Sequence, residues 1–325
     1  SKSCAKNLMR KYGIPSADYA VFDRADEAYA YLATSQYPCV IKADGPALGK
    51  GVIIASTQEE AFCAVRAMME EGAFGTSGSR VVIEEYLTGH EASVLAFTDG
   101  TTLIPMVSAL DHKRAFDGDL GPNTGGMGAL APNPYDTPEL ARACMERIYL
   151  PTIRAMQAEG RPFSGCLFFG LMFTQNGPKV IEYNCRFGDP ETQAVLPLLE
   201  TDLLEILLAV EEGRLAETPV RFRGGSACCV VLASGGYPAA YQTGFEIVLG
   251  DAPRAENITI YHAGTKRVQG RLISAGGRVL GVMALGESAR AAQSAAYAAA
   301  MRIRFTGAFC RSDIGTRAID WAERG

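Results

Sequence analysis

The sequence predicts an α/β protein that ends in a smaller, strand-rich domain. Three observations carry that reading. Amphipathic helical stretches alternate with short apolar strands up to about residue 217. A glycine-rich turn, Asp44-Gly-Pro-Ala-Leu-Gly-Lys-Gly51, stands between two of those strands and not before a helix. After Thr218 the composition shifts to short apolar runs separated by glycine-rich turns.

At 325 residues the chain is long enough for two or three domains with full cores. Its 48% hydrophobic and 21% charged residues are ordinary for a globular protein. A formal charge of −5 gives no global basic field, which argues against nucleic acid as a partner. No apolar run is long enough to span a membrane, and the first residues do not resemble a signal peptide. Nine cysteines without a CxxC pair and three histidines argue against zinc and for reduced core thiols, hence a cytoplasmic protein.

Residues 1–12 read as a helix, with Ser1 or Ser3 as N-cap, Leu8 and Met9 inward and Gly13 as the stop. A strand at 19–22, a helix at 25–34 and strands at 38–43 and 52–55 follow. The turn between the last two has Lys42 entering it and Lys50 inside it. Its backbone N–H groups and lysine charge can fold over phosphates, although a tight hairpin would need the same glycines. It is not GxxxxGK[ST], and a strand follows it. Residues 57–71 form an amphipathic helix whose inward stripe of Ala61, Phe62, Val65, Met68 and Met69 is core.

The strand at 80–87 ends in Glu84 and Glu85, which alone would be a solvated strand end. Residues 90–98 and 101–107 read as a hairpin around Asp99-Gly100. Residues 109–134 carry almost no periodicity but contain Asp111-His-Lys-Arg114 and Gly121-Pro-Asn-Thr-Gly-Gly-Met-Gly128. Clustered basic residues before a glycine run suit a mobile cover that meets an anion; a disordered surface loop would look the same. A helix at 138–159 leads to a hairpin of 164–173 and 178–183, and a helix at 201–212 ends at Gly213. Strands at 226–233, 246–249, 257–261, 271–274 and 279–285 and an alanine-rich helix at 288–301 complete the chain.

The stretch Val180-Ile-Glu-Tyr-Asn-Cys-Arg-Phe-Gly-Asp-Pro-Glu-Thr192 turns a strand end into a polar turn. It delivers Glu182, Asn184, Arg186, Asp189 and Glu191 within a few residues. Glu182 and Asn184, at alternate positions, point the same way from a strand and suit a hard cation such as Mg²⁺. Arg186 is placed to hold a phosphate or acyl-phosphate oxygen. A strand end with an ion pair and a solvated turn would also fit.

Taken in order, these stretches resemble the ATP-grasp superfamily and, within it, the phosphoribosylamine–glycine ligase family. The residues that carry the resemblance are Ile41-Lys-Ala-Asp-Gly45 with Gly49-Lys-Gly51, Val82-Ile-Glu-Glu-Tyr86, the two motifs of the 109–134 stretch and Ile181 to Thr192. His262-Ala-Gly-Thr-Lys266, Gly276-Gly-Arg-Val279 and Asp313-Ile-Gly315 extend it over essentially the whole chain. The resemblance implies ATP-dependent ligation of glycine, through glycyl phosphate, to 5-phosphoribosylamine. The products are glycinamide ribonucleotide, ADP and phosphate, in purine biosynthesis.

It further implies an ATP-grasp fold, with a large lobe of residues 1–14 and 87–217, a small lobe of 15–86 and a C-terminal domain of 218–325. Lys2 and Lys42 are the implied phosphate lysines, with Gly49, Lys50 and Gly51 in a loop closing on ATP. Glu84, Glu85 and Leu87 would read adenine, partly through backbone groups, and Glu91 the ribose. Glu182 and Asn184 would hold Mg²⁺, or Mn²⁺ in its place. Arg186, Asp189 and Lys113 are the catalytic candidates, and Asn123, Thr124 and Gly125 join Arg186 and Asp189 at the substrates.

Three features depart from the family. Phe169-Gly-Leu-Met172 lacks the second metal carboxylate that many ATP-grasp enzymes carry there, and Pro46 removes one loop N–H. The family's first domain, a glycine-rich α/β unit of roughly 100 residues, is expected to be absent from this chain. The competing readings are another ATP-grasp carboxylate–amine ligase, or a nucleotide-binding fragment that needs a separate N-terminal domain.

Overall fold

A computed structural model describes residues 1–45, 51–250 and 256–324. The chain divides into two compact units. The first comprises Ser1–His90, Pro138–Pro162 and Phe169–Tyr183, and the second Glu91–Thr137, Phe163–Phe168 and Asn184–Gly325. Gly49 and Lys50 of the expected phosphate loop lie outside the described residues.

The first unit is built on an antiparallel sheet in the order Tyr19–Phe22, Val81–Glu85, Cys39–Ala43, Val52–Ala55. Strand alternation sorts its side chains. Cys39, Ile41, Ala43, Val81 and Ile83 pack with Ala28 and Leu32 of helix Ala25–Leu32 and with Ala61, Ala64 and Val65 of helix Gln58–Val65. Each large apolar side chain buried there contributes about 1.5–3 kcal/mol. The same alternation turns Lys42 and Glu84 to the opposite face, where both are nevertheless buried. The helix Lys2–Lys11 begins at Ser1, whose hydroxyl accepts from the Cys4 N–H at 3.1 Å.

The second unit holds a five-stranded antiparallel sheet in the order Ile258–His262, Arg278–Gly286, Ser226–Ala233, Gly128–Ala131, Leu110–Asp111. Every residue of Ser226–Ala233 is buried because both faces are covered. Val230, Val282 and Ala284 pack with Ala292, Ala296 and Ala299 of helix Ala289–Ala300 on one side. Ala129, Ala227, Cys229 and Met283 pack with Phe97, Phe168, Val195 and Ile206 on the other. The alanines allow a close approach: a Cβ on Gly286 would lie 2.4 Å from the Ala292 nitrogen.

Several elements differ from the sequence expectations. The 109–134 stretch is not a loop: Leu110–Asp111, Arg114–Phe116, Leu120–Asn123 and Gly128–Ala131 are strands, each too short to show a period. The helices expected at 57–71 and 138–159 each contain a π-helical turn, Arg66–Glu70 and Met145–Tyr149, an irregularity that apolar spacing does not register. Residues 246–249 make single bridges from Glu246 to Ile273 and from Val248 to Arg304, so no ladder forms. A terminal helix, Thr316–Arg324, was hidden by its charge content; it buries Ala318 and Ile319. Among the described residues all nine cysteines are free thiols, but Cys4, Cys63 and Cys185 are exposed and so are not core thiols.

Candidate active site

In the first unit the helix N-terminus is tied to the end of a strand. The Asp44 carboxylate accepts from the Ser3 N–H at 2.6 Å and from the Ser1 and Ser3 hydroxyls at 3.0 and 3.1 Å. This fixes Lys2, whose Nζ donates to Ala43 O at 2.6 Å and to Gly45 O at 3.2 Å. Lys42 Nζ lies 3.0 Å from Glu84 Oε1 and donates to Ile181 O at 3.3 Å. Lys6, one turn after Lys2, reaches Ala17 O at 2.6 Å and Glu84 Oε2 at 3.7 Å. Side-chain exposures of 2% for Lys6, 6% for Lys42 and 4% for Glu84 make this a buried three-charge cluster.

Its lysines are incompletely neutralised. Burial pushes the Lys6 ammonium down to about 8, with Lys42 adding to the effect and Glu84 opposing it. Burial also holds Lys2 below the ordinary lysine range; Glu182 opposes this and Lys42 reinforces it. An anion arriving beside these groups would be favoured by the charge it neutralises.

Lys6 was missed by sequence reasoning, although Ser3, Lys6 and Met9 at three-residue spacing form the buried stripe of their helix. Glu85, by contrast, is exposed; it pairs with Lys179 at 2.7 Å and accepts from the Asp18 N–H at 3.1 Å. Leu87 is partly buried just beyond that strand, and Gly51 is buried, its carbonyl accepting from the Ala43 N–H at 2.8 Å. Glu182 and Asn184 stand two residues apart at the end of the strand Gly177–Asn184.

The second unit gathers the other candidates. Lys113 Nζ pairs with Glu91 Oε2 at 2.6 Å, so these two expected ligand-binding groups meet each other. The Lys113 carbonyl accepts from both the N–H and the hydroxyl of Thr124, at 2.7 and 2.8 Å, and the Thr124 hydroxyl accepts from the Gly126 N–H at 3.0 Å. Asn123 pairs in register with Arg114. Arg186 is exposed and donates to Phe187 O at 2.7 Å.

Two residues from the strand-rich part of the sequence hold the Gly125–Gly126 backbone. Arg278 donates to Gly125 O at 2.6 Å and to Asp189 Oδ2 at 2.7 Å, while the Tyr237 hydroxyl accepts from the Gly125 N–H at 3.1 Å. Neither is among the site residues the sequence predicts, though Arg278 lies inside the Gly276-Gly-Arg-Val279 motif. Gly126, at φ +108°, must be glycine: a Cβ there would lie 2.2 Å from Pro190 Cδ and 2.8 Å from Asp111 Oδ1.

Residues 1–192 match the family described as phosphoribosylglycinamide synthetase, ATP-grasp (A) domain, and residues 227–317 match the C domain of the same synthetase. The chain is 47% identical over 332 residues to a phosphoribosylamine–glycine ligase of Rhodopirellula baltica, covering 100% of this chain and 76% of that protein. It is 48% identical over 324 residues to one of Halalkalibacterium halodurans, covering 100% and 74%. The crystal structure of the Thermotoga maritima phosphoribosylamine–glycine ligase superposes with a TM-score of 0.88 at 37% identity, over 97% of this chain and 78% of that one. A biotin carboxylase–β,γ-ATP complex from Campylobacter jejuni gives a TM-score of 0.74 at 16% identity, over 99% and 68%, a likeness of fold alone.

Proposed function

The chain belongs to the phosphoribosylamine–glycine ligase family, and we propose how its residues serve the family's ATP-dependent ligation of glycine to 5-phosphoribosylamine. The observation that carries the reading is the buried Lys42–Glu84–Lys6 cluster with Lys2 beside Ala43 and Gly45. Buried charge is expensive unless it is paired or meets a ligand, and a polyphosphate is the ligand that suits under-neutralised lysines. Lys2 and Lys42 bind the phosphates. Glu84 spends its carboxylate on two lysines, so what it offers adenine is backbone, shared with Glu85 and Leu87. Glu91 holds the ribose.

Glu182 and Asn184 present one carboxylate and one amide oxygen on one side of a strand, a donor set that fits Mg²⁺ with phosphates and water completing the shell. Among the described residues no group of three His, Cys, Asp or Glu could hold a metal without such help. Bound Mg²⁺ supplies charge neutralisation on the phosphate oxygens. Arg186 and Lys113 meet the acyl phosphate, and the turn of Asn123, Thr124 and Gly125 with Asp189 orients glycine and the attacking amine.

No described helix is long and apolar enough to cross a membrane. The test is phosphate release from ATP by the purified chain with glycine and 5-phosphoribosylamine added singly and together. Release that needs both substrates supports the reading, and release indifferent to glycine overturns it.

A further inference from the structure

The motif Asp313-Ile-Gly315 takes no part in the roles above, yet it reaches the second unit's candidate residues through a hairpin. Strands Arg114–Phe116 and Leu120–Asn123 form a sheet of two, with a register shift between Arg114 and Phe116 and no third neighbour among the described residues. Only Ala115 of their residues is buried. A hairpin with so little apolar burial is marginal by itself. Its open end nevertheless carries Lys113 on one side and Asn123 and Thr124 on the other, with the Lys113 carbonyl accepting two bonds from Thr124.

The hold comes from residues near the end of the chain. Arg311, 1% exposed, is the largest side chain fully buried among the described residues. Its guanidinium makes a forked pair with Asp313, at 2.7 and 2.8 Å, and its Nη2 lies 3.0 Å from Asp119 Oδ1 at the hairpin's tip. Its Nη1 donates to the carbonyl of Arg114, next to Lys113, at 3.1 Å. Asp313 Oδ2 also accepts from the Gly118 N–H at 2.9 Å. Asp117 accepts from the Ser312 N–H at 2.8 Å and from the Ser312 hydroxyl. At the base of the hairpin, His112 Nε2 accepts from the Gly315 N–H at 3.0 Å.

That short segment is itself fixed on helix Ala289–Ala300. The Tyr297 hydroxyl donates to the Arg311 carbonyl at 2.8 Å and accepts from the Ile314 N–H at 2.9 Å, and Gln293 Nε2 donates to Ile314 O at 2.7 Å. Stability alone gives a weak reason for such a grip, because a buried guanidinium must be stripped of water and apolar side chains would cover the same surface. Forked, charge-assisted bonds fix a direction as well as a distance, which apolar contact does not.

We infer that Arg311–Gly315 is a positioning clasp for the ligase reaction, with Arg311 as its central positioning residue. Through the Arg114 carbonyl and the Asp117–Asp119 tip it sets where Lys113, Asn123 and Thr124 stand. The inference rests on the ligase reading above and adds residues that act only through the hairpin.

Two proteins test it. Arg311→Lys keeps the charge but loses the planar fork. Asp117→Ala combined with Asp119→Asn releases the tip at exposed positions, where lost pairs move the thermal midpoint little. In both, amide hydrogen exchange over residues 114–123 should quicken about tenfold or more. The kcat of glycine-dependent phosphate release should fall about tenfold to a hundredfold, since small misplacements of reacting groups cost that much. The KM for Mg-ATP, whose phosphate lysines belong to the first unit, should stay at the parent's value.

A role in stability alone would shift the thermal midpoint and leave the kcat of the folded enzyme untouched. Unchanged exchange in the tip variant, or faster exchange with kcat retained, overturns the inference, and this variant decides the matter even if Arg311→Lys does not fold. Failure of the ligase reading shows in the parent instead, as phosphate release indifferent to glycine.

Discussion

Replacing Glu84 by glutamine should expose how much the phosphate-side cluster depends on one carboxylate. Glu84 is the partner of both Lys42, at 3.0 Å, and Lys6, at 3.7 Å. Removing one member of a buried ion pair costs about 3–5 kcal/mol, because the surviving charge stays out of water. The cost has a ceiling, since a lysine that becomes too expensive loses its proton. Burial in the parent already pushes the Lys6 ammonium down to about 8 from an ordinary 10.5. That difference corresponds to about 3 kcal/mol by which the charged lysine destabilises the fold.

The sign follows. Between about 8 and 10.5 the unfolded chain binds more protons than the folded one, so the parent gains stability as pH rises through that window. In Glu84→Gln the folded value falls further, because the carboxylate that opposes burial is gone, and the window widens downward. We expect a loss of about 3–5 kcal/mol at pH 7 that shrinks as pH is raised. Adding Lys6→Met should recover much of it. Urea unfolding followed by far-ultraviolet circular dichroism at several pH values, with hydrogen exchange over residues 81–85, provides the measurement. A loss below about 1 kcal/mol, or one that does not change with pH, would refute the claim that these charges are mutually dependent.

Three further outcomes are expected. Lys42→Met should reduce Mg-ATP affinity at least about tenfold in calorimetry while the thermal midpoint changes little, because Glu84 keeps Lys6; unchanged affinity would remove Lys42 from the phosphate site. Arg278→Ala should cost only about 1 kcal/mol of stability, since Asp189 is 53% exposed, yet lower kcat/KM by about a hundredfold by releasing the Gly125 turn. Arg278→Lys should not rescue that activity, because lysine lacks the planar fork, and full activity in either variant would make Arg278 dispensable. Burial, reinforced by Arg311, pushes His112 down to about 4 from 6.5, so the unfolded chain binds the extra proton in that interval and stability should fall as pH drops through it. A stability profile from pH 7 to 4 should flatten in His112→Gln, and an identical slope in both proteins would show that His112 does not contribute.

The large elements were legible because their signals are local. Helix 288–301 was bounded almost to the residue, since Ser288 caps it and an alanine face repeats along it. The hairpin leading to Glu182, expected from the runs 164–173 and 178–183, is found as Gly165–Thr174 and Gly177–Asn184. Asp111 was visible only as part of a motif, because its burial depends on sheet partners in Gly128–Ala131, which themselves pair with Ser226–Ala233. Sequence spacing carries no trace of contacts made more than a hundred residues away. Arg278 is the same case: its significance comes from Gly125, 153 positions earlier.

Glu84 shows how a local rule fails at a functional site. At the end of a strand it reads as solvated, and its neighbour Glu85 is indeed exposed and paired with Lys179. Alternation alone decides between them. Ile83 faces the helices, Glu84 turns to the opposite face beside Lys42, and that face is covered by a helix whose own buried stripe contains a lysine. A purely structural sheet would carry valine or isoleucine at these positions, because they would bury well without a partner. Instead Lys42 and Glu84 occupy that face with Lys6 of the covering helix against them, and two of the three lysines around it are held below their usual protonation range. Folding alone gives no reason to accept that arrangement. It becomes intelligible when the face must receive a polyanion, whose charge supplies what Glu84 alone does not.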